Sequence, residues 1–366
     1  MLRVFSDRAY LPALADHIWQ LSPFWGITTR EGESIQPKRL ARYMKESGAI
    51  LELTSLERAD LAIFPAEYQV SDSNDGRNRF QRFTRLAASA GKPTIVFTGG
   101  DLEHSLPEFN GYEFHTSLYR STAGKNTFAM PATIGDIVEE ELAGSLPLLP
   151  KEPRARVGFC GFAPPGSMPP GKEMLKENLR DLLYSTGLLS ATRVGYAPRA
   201  RAIRALKKSK AVGTNVVLRG NGGFNWACGY LLKEREASDV TLQRWEYLEN
   251  LLGSPYALCV RGRGNYSLRF YEAMCCGRIP VFVNTDCVLP FEHMVNWKDY
   301  CVWVEERDIP HIGEILADFH ANISSVRFKE LQLACRRLWL DYLSPESFMR
   351  QLSTTFQLQR TCAGNT

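Results

Sequence analysis

One stretch of this sequence, Pro255 to Glu292 (PYALCVRGRGNYSLRFYEAMCCGRIPVFVNTDCVLPFE), restricts the fold more than any other. Tyr256–Val260 is a short apolar run of the kind found in strands buried on both faces. Arg261-Gly262-Arg263-Gly264-Asn265 is too polar and too glycine-rich to continue it. From Ser267 to Cys276 the helix formers Leu268, Glu272, Ala273 and Met274 take over, with Gly277 placed for a left-handed C-terminal cap. Ile279–Val283 is apolar again and ends in Asn284-Thr285-Asp286. A loop-to-helix junction of this kind directs free backbone N–H groups and the positive end of a helix dipole at whatever lies above the strand tips. Arg261, Arg263 and Arg269 crowd that junction, and guanidinium forks suit phosphate oxygens, so the ligand it fits is a phosphate-bearing anion. The plainer alternative is a solvated turn in which Glu272 pairs with Arg269 three residues away. The turn lies between two apolar strands, where open α/β sheets bind ligands, and this favours the anion site.

The rest of the chain is consistent with such sheets. With 366 residues there is room for two domains, each with its own core, and 44% hydrophobic with 23% charged residues is an ordinary globular composition. The net charge of +4 allows anionic substrates or a peripheral membrane contact. It forms no basic stripe interleaved with aromatics, so nucleic acid is not an expected partner. The nine cysteines show neither CxxC nor zinc-type spacing, which points to buried thiols in a reducing compartment. No signal-peptide core follows Met1-Leu2-Arg3-Val4-Phe5, and no apolar run is long enough to span a bilayer. The expected location is cytoplasmic, extending to the inner face of the membrane.

In the first half, strands are expected at Leu2–Phe5, Ala59–Pro65 and Thr94–Phe97, with helices at Pro37–Ser47 and Arg77–Ala90 and an apolar piece, Ala49–Leu53, after the first of these helices. Phe114–Tyr119 and Thr127–Met130 are shorter strand candidates, and Gly135–Leu142 is a short helix. This alternation implies a parallel sheet. The prolines from Pro147 to Pro153 suit a semi-rigid linker and divide the chain into domains 1–150 and 151–340, followed by a terminal helical segment 341–366. In the second half, Val157–Phe162 is a strand carrying Gly161, and Lys172–Ser185 is an amphipathic helix. Pro198–Lys210 is a basic helix whose Arg199, Arg201, Arg204, Lys207 and Lys208 form either a solvated face or a contact with donor phosphates or an anionic acceptor. The strand Asn215–Leu218 leads to a glycine-rich loop around Asn221, either a long turn or a cover for a nucleotide. Leu242, Trp245, Leu248 and Leu251 form a threefold-spaced apolar stripe on a helix over Thr241–Leu252, read as core. Tyr300–Val304 is the last strand, and helices follow over Phe328–Tyr342 and Pro345–Gln357. Walker and GxSxG motifs are absent.

The segment Tyr256–Val283, an apolar strand into an Arg-Gly turn, then Ser-x-Arg-x-x-Glu-Ala, then Gly-x-x-Pro-Val, resembles the C-terminal signature of exostosin-like (GT47-type) glycosyltransferases. The resemblance implies a GT-B architecture: two Rossmann-like domains with parallel sheets facing a central cleft, and a terminal helix crossing back to the first. It also implies inverting, metal-independent transfer from a nucleotide-sugar donor, usually a UDP-sugar. The acceptor would be a hydroxyl of a glycan or lipid-linked glycan, and a soluble bacterial-type member would build surface polysaccharide.

Such chemistry needs a stabilised leaving diphosphate, an aligned donor and a base for the acceptor hydroxyl. Arg261, Arg269 and the Ser267 hydroxyl are assigned to the diphosphate, with Arg263 as a helper and Glu272 on the ribose hydroxyls. Gly262, Gly161 and Asn221 complete the donor side. The base should come from a strand tip of the first domain. Asp101, after Thr98-Gly99-Gly100, is the first choice because the glycines permit close approach of an acceptor. Asp7, Glu67 and His104 are reserves. The Glu-x7-Glu pattern of retaining relatives is absent, since Pro280 stands eight positions after Glu272. A non-catalytic GT-B protein that binds nucleotide-sugars or glycans is the alternative carried by the same residues.

Overall fold

The computed structural model describes residues 1–12, 15–27, 37–68, 74–101, 106–163, 196–219 and 237–363. Two sheets organise them. The first comprises β1 (Leu2–Phe5), β2 (Leu51–Leu53), β3 (Leu61–Ile63), β4 (Thr94–Thr98), β5 (Gly111–His115) and β6 (Thr127–Ala129), in the order β2-β1-β3-β4-β5-β6. The second comprises β7 (Arg156–Phe162), β8 (Gly213–Arg219), β9 (Tyr256–Cys259), β10 (Ile279–Asn284) and β11 (Val302–Glu305), in the order β11-β10-β9-β7-β8. Every strand pairing in both sheets is parallel. Counted from its own first strand, the first sheet runs 2-1-3-4-5-6 and the second 2-1-3-4-5, so the strand order reverses at β1/β3 and at β7/β9. Ligands of open α/β sheets bind beyond the carboxyl ends of the strands at such reversals. Two parallel-sheet domains of this kind constitute the GT-B architecture.

The helices are α1 (Ser22–Trp25), α2 (Pro37–Glu46), α3 (Asn74–Ser89), α4 (Ile137–Leu142), α5 (Ala197–Lys208), α6 (Ala237–Leu252), α7 (Leu268–Cys275), α8 (Ile312–Asn322), α9 (Ser325–Leu338) and α10 (Pro345–Ala363). One face of the first sheet packs Phe64 and Val96 against Phe80 and Phe83 of α3. The other face packs Val4, Ile63, Ile95, Phe97 and Phe114 against Phe348, Met349, Leu352 and Phe356 of α10. The last helix is therefore part of the first core. Conversely, Ala132, Ile134 and Ile137, which precede the proline-rich stretch, pack into the second core. Among the described residues, no helix is long and apolar enough to cross a membrane.

Two expectations are corrected. The strand sought at Phe114–Tyr119 runs from Gly111 to His115. A Cβ at Gly111 would lie 1.9 Å from the Thr94 carbonyl oxygen, so glycine is needed for the strand to start there. Ser117–Tyr119 instead leaves the sheet to meet the second domain. On α6, Leu248 and Leu251 are buried, but Leu242 and Trp245 are 70% and 55% exposed. At roughly 100° per residue, each three-residue step slips about 60° around the helix, so positions 242 and 251 lie on opposite sides. A threefold stripe of that length cannot be one buried face. The helix expected at Lys172–Ser185 lies outside the described residues.

Buried Arg278, unremarked in the sequence, locks the second domain. It is fully buried, and its Nε donates to the Cys276 carbonyl at 2.9 Å and its Nη1 to the Leu252 carbonyl at 3.3 Å. Its Nη2 donates to the Pro147 carbonyl. Leu252 ends α6 and Cys276 follows α7, so two partly negative helix termini meet one guanidinium.

Candidate active site

The loop after β9 is built as the sequence dictates. Arg261 follows the apolar strand directly, and Ser267 takes the extended N-cap conformation before α7, its side chain buried and making no capping bond. Gly277 is left-handed at φ +61° and ends the helix. Because α7 lies between sheet and core, Arg269 through Cys275 are all buried. Arg269 therefore reaches inward. Its Nη2 donates to the Cys160 carbonyl near the end of β7. Its guanidinium lies 4.9 Å from the Phe159 ring centre and 4.6 Å from that of Tyr247, and its Nη1 is buried without a partner.

Arg199, from the basic helix α5, joins it. Its Nη1 donates to the Phe162 carbonyl at 2.9 Å and its Nη2 to the Val260 carbonyl at 3.1 Å, tying the ends of β7 and β9 together at the order reversal. Burial, with smaller contributions from the Arg269 and Arg261 charges, pulls its pKa down to about 10. Arg199 is therefore not part of a solvated face of α5, its guanidinium being held on strand-end carbonyls. Arg261 is 6% exposed, and its Nη1 donates to the Tyr119 hydroxyl of the first domain at 2.6 Å. Three guanidiniums thus gather at the carboxyl ends of β7 and β9. Like charges held together out of water are unfavourable until an anion joins them.

Glycine sets the clearance at two points of the loop. A Cβ at Gly262 would stand 3.1 Å from Arg199 Nη2, whereas one at Gly161 would make only ordinary contact with Arg269. At Gly264 a Cβ would fall 2.7 Å from Asp101 Cα and 2.8 Å from its carbonyl oxygen. The arginine loop and Asp101 are therefore in direct contact across the domains. Arg263 projects outward and is exposed.

Glu272 is 4% exposed and accepts a hydrogen bond from the Tyr247 hydroxyl. Burial raises its pKa above the ordinary 4.5, opposed by the Arg244 charge, the Tyr247 bond and the Arg269 charge. Raised in the folded state, this carboxyl contributes stability that is full below its unfolded pKa and is lost as pH rises through the folded value. Glu272→Gln should therefore flatten the fall in melting temperature as pH is raised from about 4 towards neutrality. Parallel wild-type and variant slopes across that range would refute the assignment.

On the first-domain side, Asp7 caps the turn Arg8–Tyr10, its Oδ1 accepting from Ala9 N at 2.8 Å. Glu67 is exposed beyond β3, and a Cβ at Gly99 would stand 2.4 Å from its Oε1. His104 and Asn221 lie outside the described residues. His115, which sequence reasoning missed, closes β5 in register with Thr98. It is 2% exposed, with Nε2 3.0 Å from Glu113 Oε2, and its Nδ1 and Thr98 Oγ1 are both buried without partners. Glu-x-His in a strand puts both side chains on one face, a signal available in principle. Among the described residues, no three His, Cys, Asp or Glu side chains group as metal ligands would.

Two parallel sheets of GT-B architecture, with a cationic cluster at the strand-order reversal of the second, thus frame the candidate site. More particularly, residues 224–319 match the Exostosin GT47 domain. It is 37% identical over 100 residues to the Exostosin-1 homolog of Caenorhabditis elegans, covering 27% of this chain and 25% of the relative. It is 39% identical over 70 residues to a probable beta-1,4-xylosyltransferase of Arabidopsis thaliana, covering 19% and 17%. These matched stretches span a quarter or less of the relatives' own length. A glycosyltransferase from Rickettsia africae superposes with a TM-score of 0.37 at 10% identity, covering 97% of this chain and 98% of that one.

Proposed function

We propose that this protein is an inverting, metal-independent glycosyltransferase that moves a sugar from a nucleotide-sugar, a UDP-sugar, to a hydroxyl of a glycan or lipid-linked glycan. The observation that carries the reading is the convergence of Arg199, Arg261 and Arg269 on the ends of β7 and β9, within and beside the segment that matches the exostosin domain. In this reading the acceptor oxygen attacks the anomeric carbon as the bond to the β-phosphate oxygen breaks. The electron pair passes to the diphosphate, whose charge the arginines and the Ser267 hydroxyl meet without a metal. Glu272 accepts from the ribose hydroxyls, and Asp101 takes the acceptor's proton. Residues 1–150 hold the acceptor, residues 151–340 hold the donor, and α10 braces the first domain. The expected setting is cytoplasmic, at the inner face of a bacterial-type membrane where surface polysaccharide is made.

The test is thermal denaturation with UDP, GDP, CMP, dTDP, ADP or pyrophosphate, followed by assay of donor turnover with Asp101→Asn. A ligand present at a hundred times its Kd adds about 2.7 kcal/mol to native stability, enough to read as a shift of several degrees. The reading predicts that one nucleoside diphosphate stabilises the protein and that Asp101→Asn keeps this shift while losing turnover. No shift with any of them would overturn it. A shift without any turnover in the wild type would replace it with the non-catalytic binding reading.

A further inference from the structure

The segment Ser117–Ser121 belongs in sequence to the first domain, in the connection after β5, yet its bonds lie with the second. Asn265, fully buried at the end of the arginine loop, anchors it. The Asn265 backbone N–H donates to Ser117 Oγ at 2.8 Å, and its side-chain Nδ2 donates to the Leu118 carbonyl at 3.0 Å and the Asp286 carbonyl at 3.2 Å. Its Oδ1 accepts from Thr285 Oγ1 at 2.8 Å. Two of these bonds hold the loop on the segment, and the two to Asp286 and Thr285 fix the amide within its own domain. Further along, Tyr119 and Cys287 form an antiparallel bridge, and Arg120 N donates to the Asp286 carbonyl at 2.8 Å. At the solvent edge Arg120 pairs with Glu292 at 2.6 Å.

Between the anchored amide and the exposed ion pair stands Tyr119, 8% exposed, whose hydroxyl accepts from Arg261 Nη1 at 2.6 Å. An arginine that must meet a diphosphate needs its fork fixed, because a flexible guanidinium would lose rotamer freedom on binding. Within its own domain Arg261 follows the strand end directly. The tyrosine that orients it comes from the opposite domain.

We propose that Tyr119 is a positioning residue for the leaving diphosphate. Its hydroxyl presents Arg261 to the phosphates, and Ser117–Tyr119 thereby makes the donor site a joint product of both domains, so that the donor is gripped only when the cleft is assembled. The inference rests on the donor-site reading above and adds the residue through which the first domain enters it. A bond from a charged donor contributes more than a neutral one, so loss of the hydroxyl should weaken diphosphate binding by roughly ten- to a hundredfold.

The experiment is calorimetric titration of the full chain with UDP and, as a base-independent probe, with pyrophosphate. Wild type, Tyr119→Phe, Arg261→Lys and the double variant are compared, with Arg120→Ala as the control on the same seam. Tyr119→Phe should weaken both ligands by that factor while the ligand-free melting temperature stays near wild type. Its effect should largely vanish in the Arg261→Lys background, because the two residues act as one unit. Arg120→Ala should leave binding unchanged. Equal affinities for wild type and Tyr119→Phe, or full additivity with Arg261→Lys, would overturn the inference while leaving the donor site standing. A wild type that binds neither probe would overturn the donor site itself and the inference with it. A loss of binding matched by Arg120→Ala would show a general effect of the domain seam and would refute a specific role for Tyr119.

Discussion

Arg261→Ala should reduce donor turnover by about a hundred- to a thousandfold, the loss typical of removing one preorganised group that meets developing negative charge. The reasoning is geometric. Arg261 is the first residue beyond Val260 at the end of the apolar strand, it is buried, and its guanidinium is held by Tyr119 with Arg199 and Arg269 on the same strand tips. Alanine removes the charge and leaves the fold of the loop to Asn265, whose bonds do not involve the arginine. The loss should therefore appear in kcat/KM and in the thermal shift given by UDP, while the ligand-free melting temperature changes little. Turnover within threefold of wild type would remove Arg261 from the site.

The largest effect on stability is expected at Arg278. Arg278→Ala deletes a fully buried cation and strands the carbonyls of Pro147, Leu252 and Cys276 without their donor. Burial lowers the Arg278 pKa to about 10, so the charge survives at neutral pH on these three carbonyls alone. Breaking a buried arrangement of this kind costs about 3–5 kcal/mol, which in a domain of this size is on the order of 10 °C in melting temperature. Thermal denaturation monitored by circular dichroism measures it directly. A shift below about 2 °C would mean that the carbonyls find other donors.

How much of this was legible in the sequence depended on the range of the interaction concerned. The unit from β9 to β10 was readable almost residue by residue, because apolar strands, a polar turn, helix formers and a capping glycine are local signals. Gly277 adopts the conformation its position required. Arg199 was ambiguous because periodicity does not say what covers a helix face. Its role depends on carbonyls at Phe162 and Val260, the latter 61 residues away. Tyr119 carried no signal at all, since its partner is 142 residues distant and belongs to the other sheet. Arg278 drew no reading from the sequence, and only the packing of Pro147 and Leu252 around it reveals the buried charge. The apolar stripe on α6 misled because threefold spacing was taken for a face when it is a slow spiral.

The placement of α10 bears on how the chain is made. Phe348, Met349, Leu352 and Phe356 complete one face of the first sheet, and Ser353 Oγ donates to the Ile50 carbonyl beside β2. A polypeptide leaves the ribosome from its N-terminus at about 5–20 residues per second, and domains usually fold as they emerge. Here β1–β6 cannot finish their core until α10 has been released. They wait with one apolar face uncovered while the whole second domain is synthesised. Birth order and folding order are thus uncoupled, and the first half of the molecule is the part most in need of a chaperone's cover during synthesis.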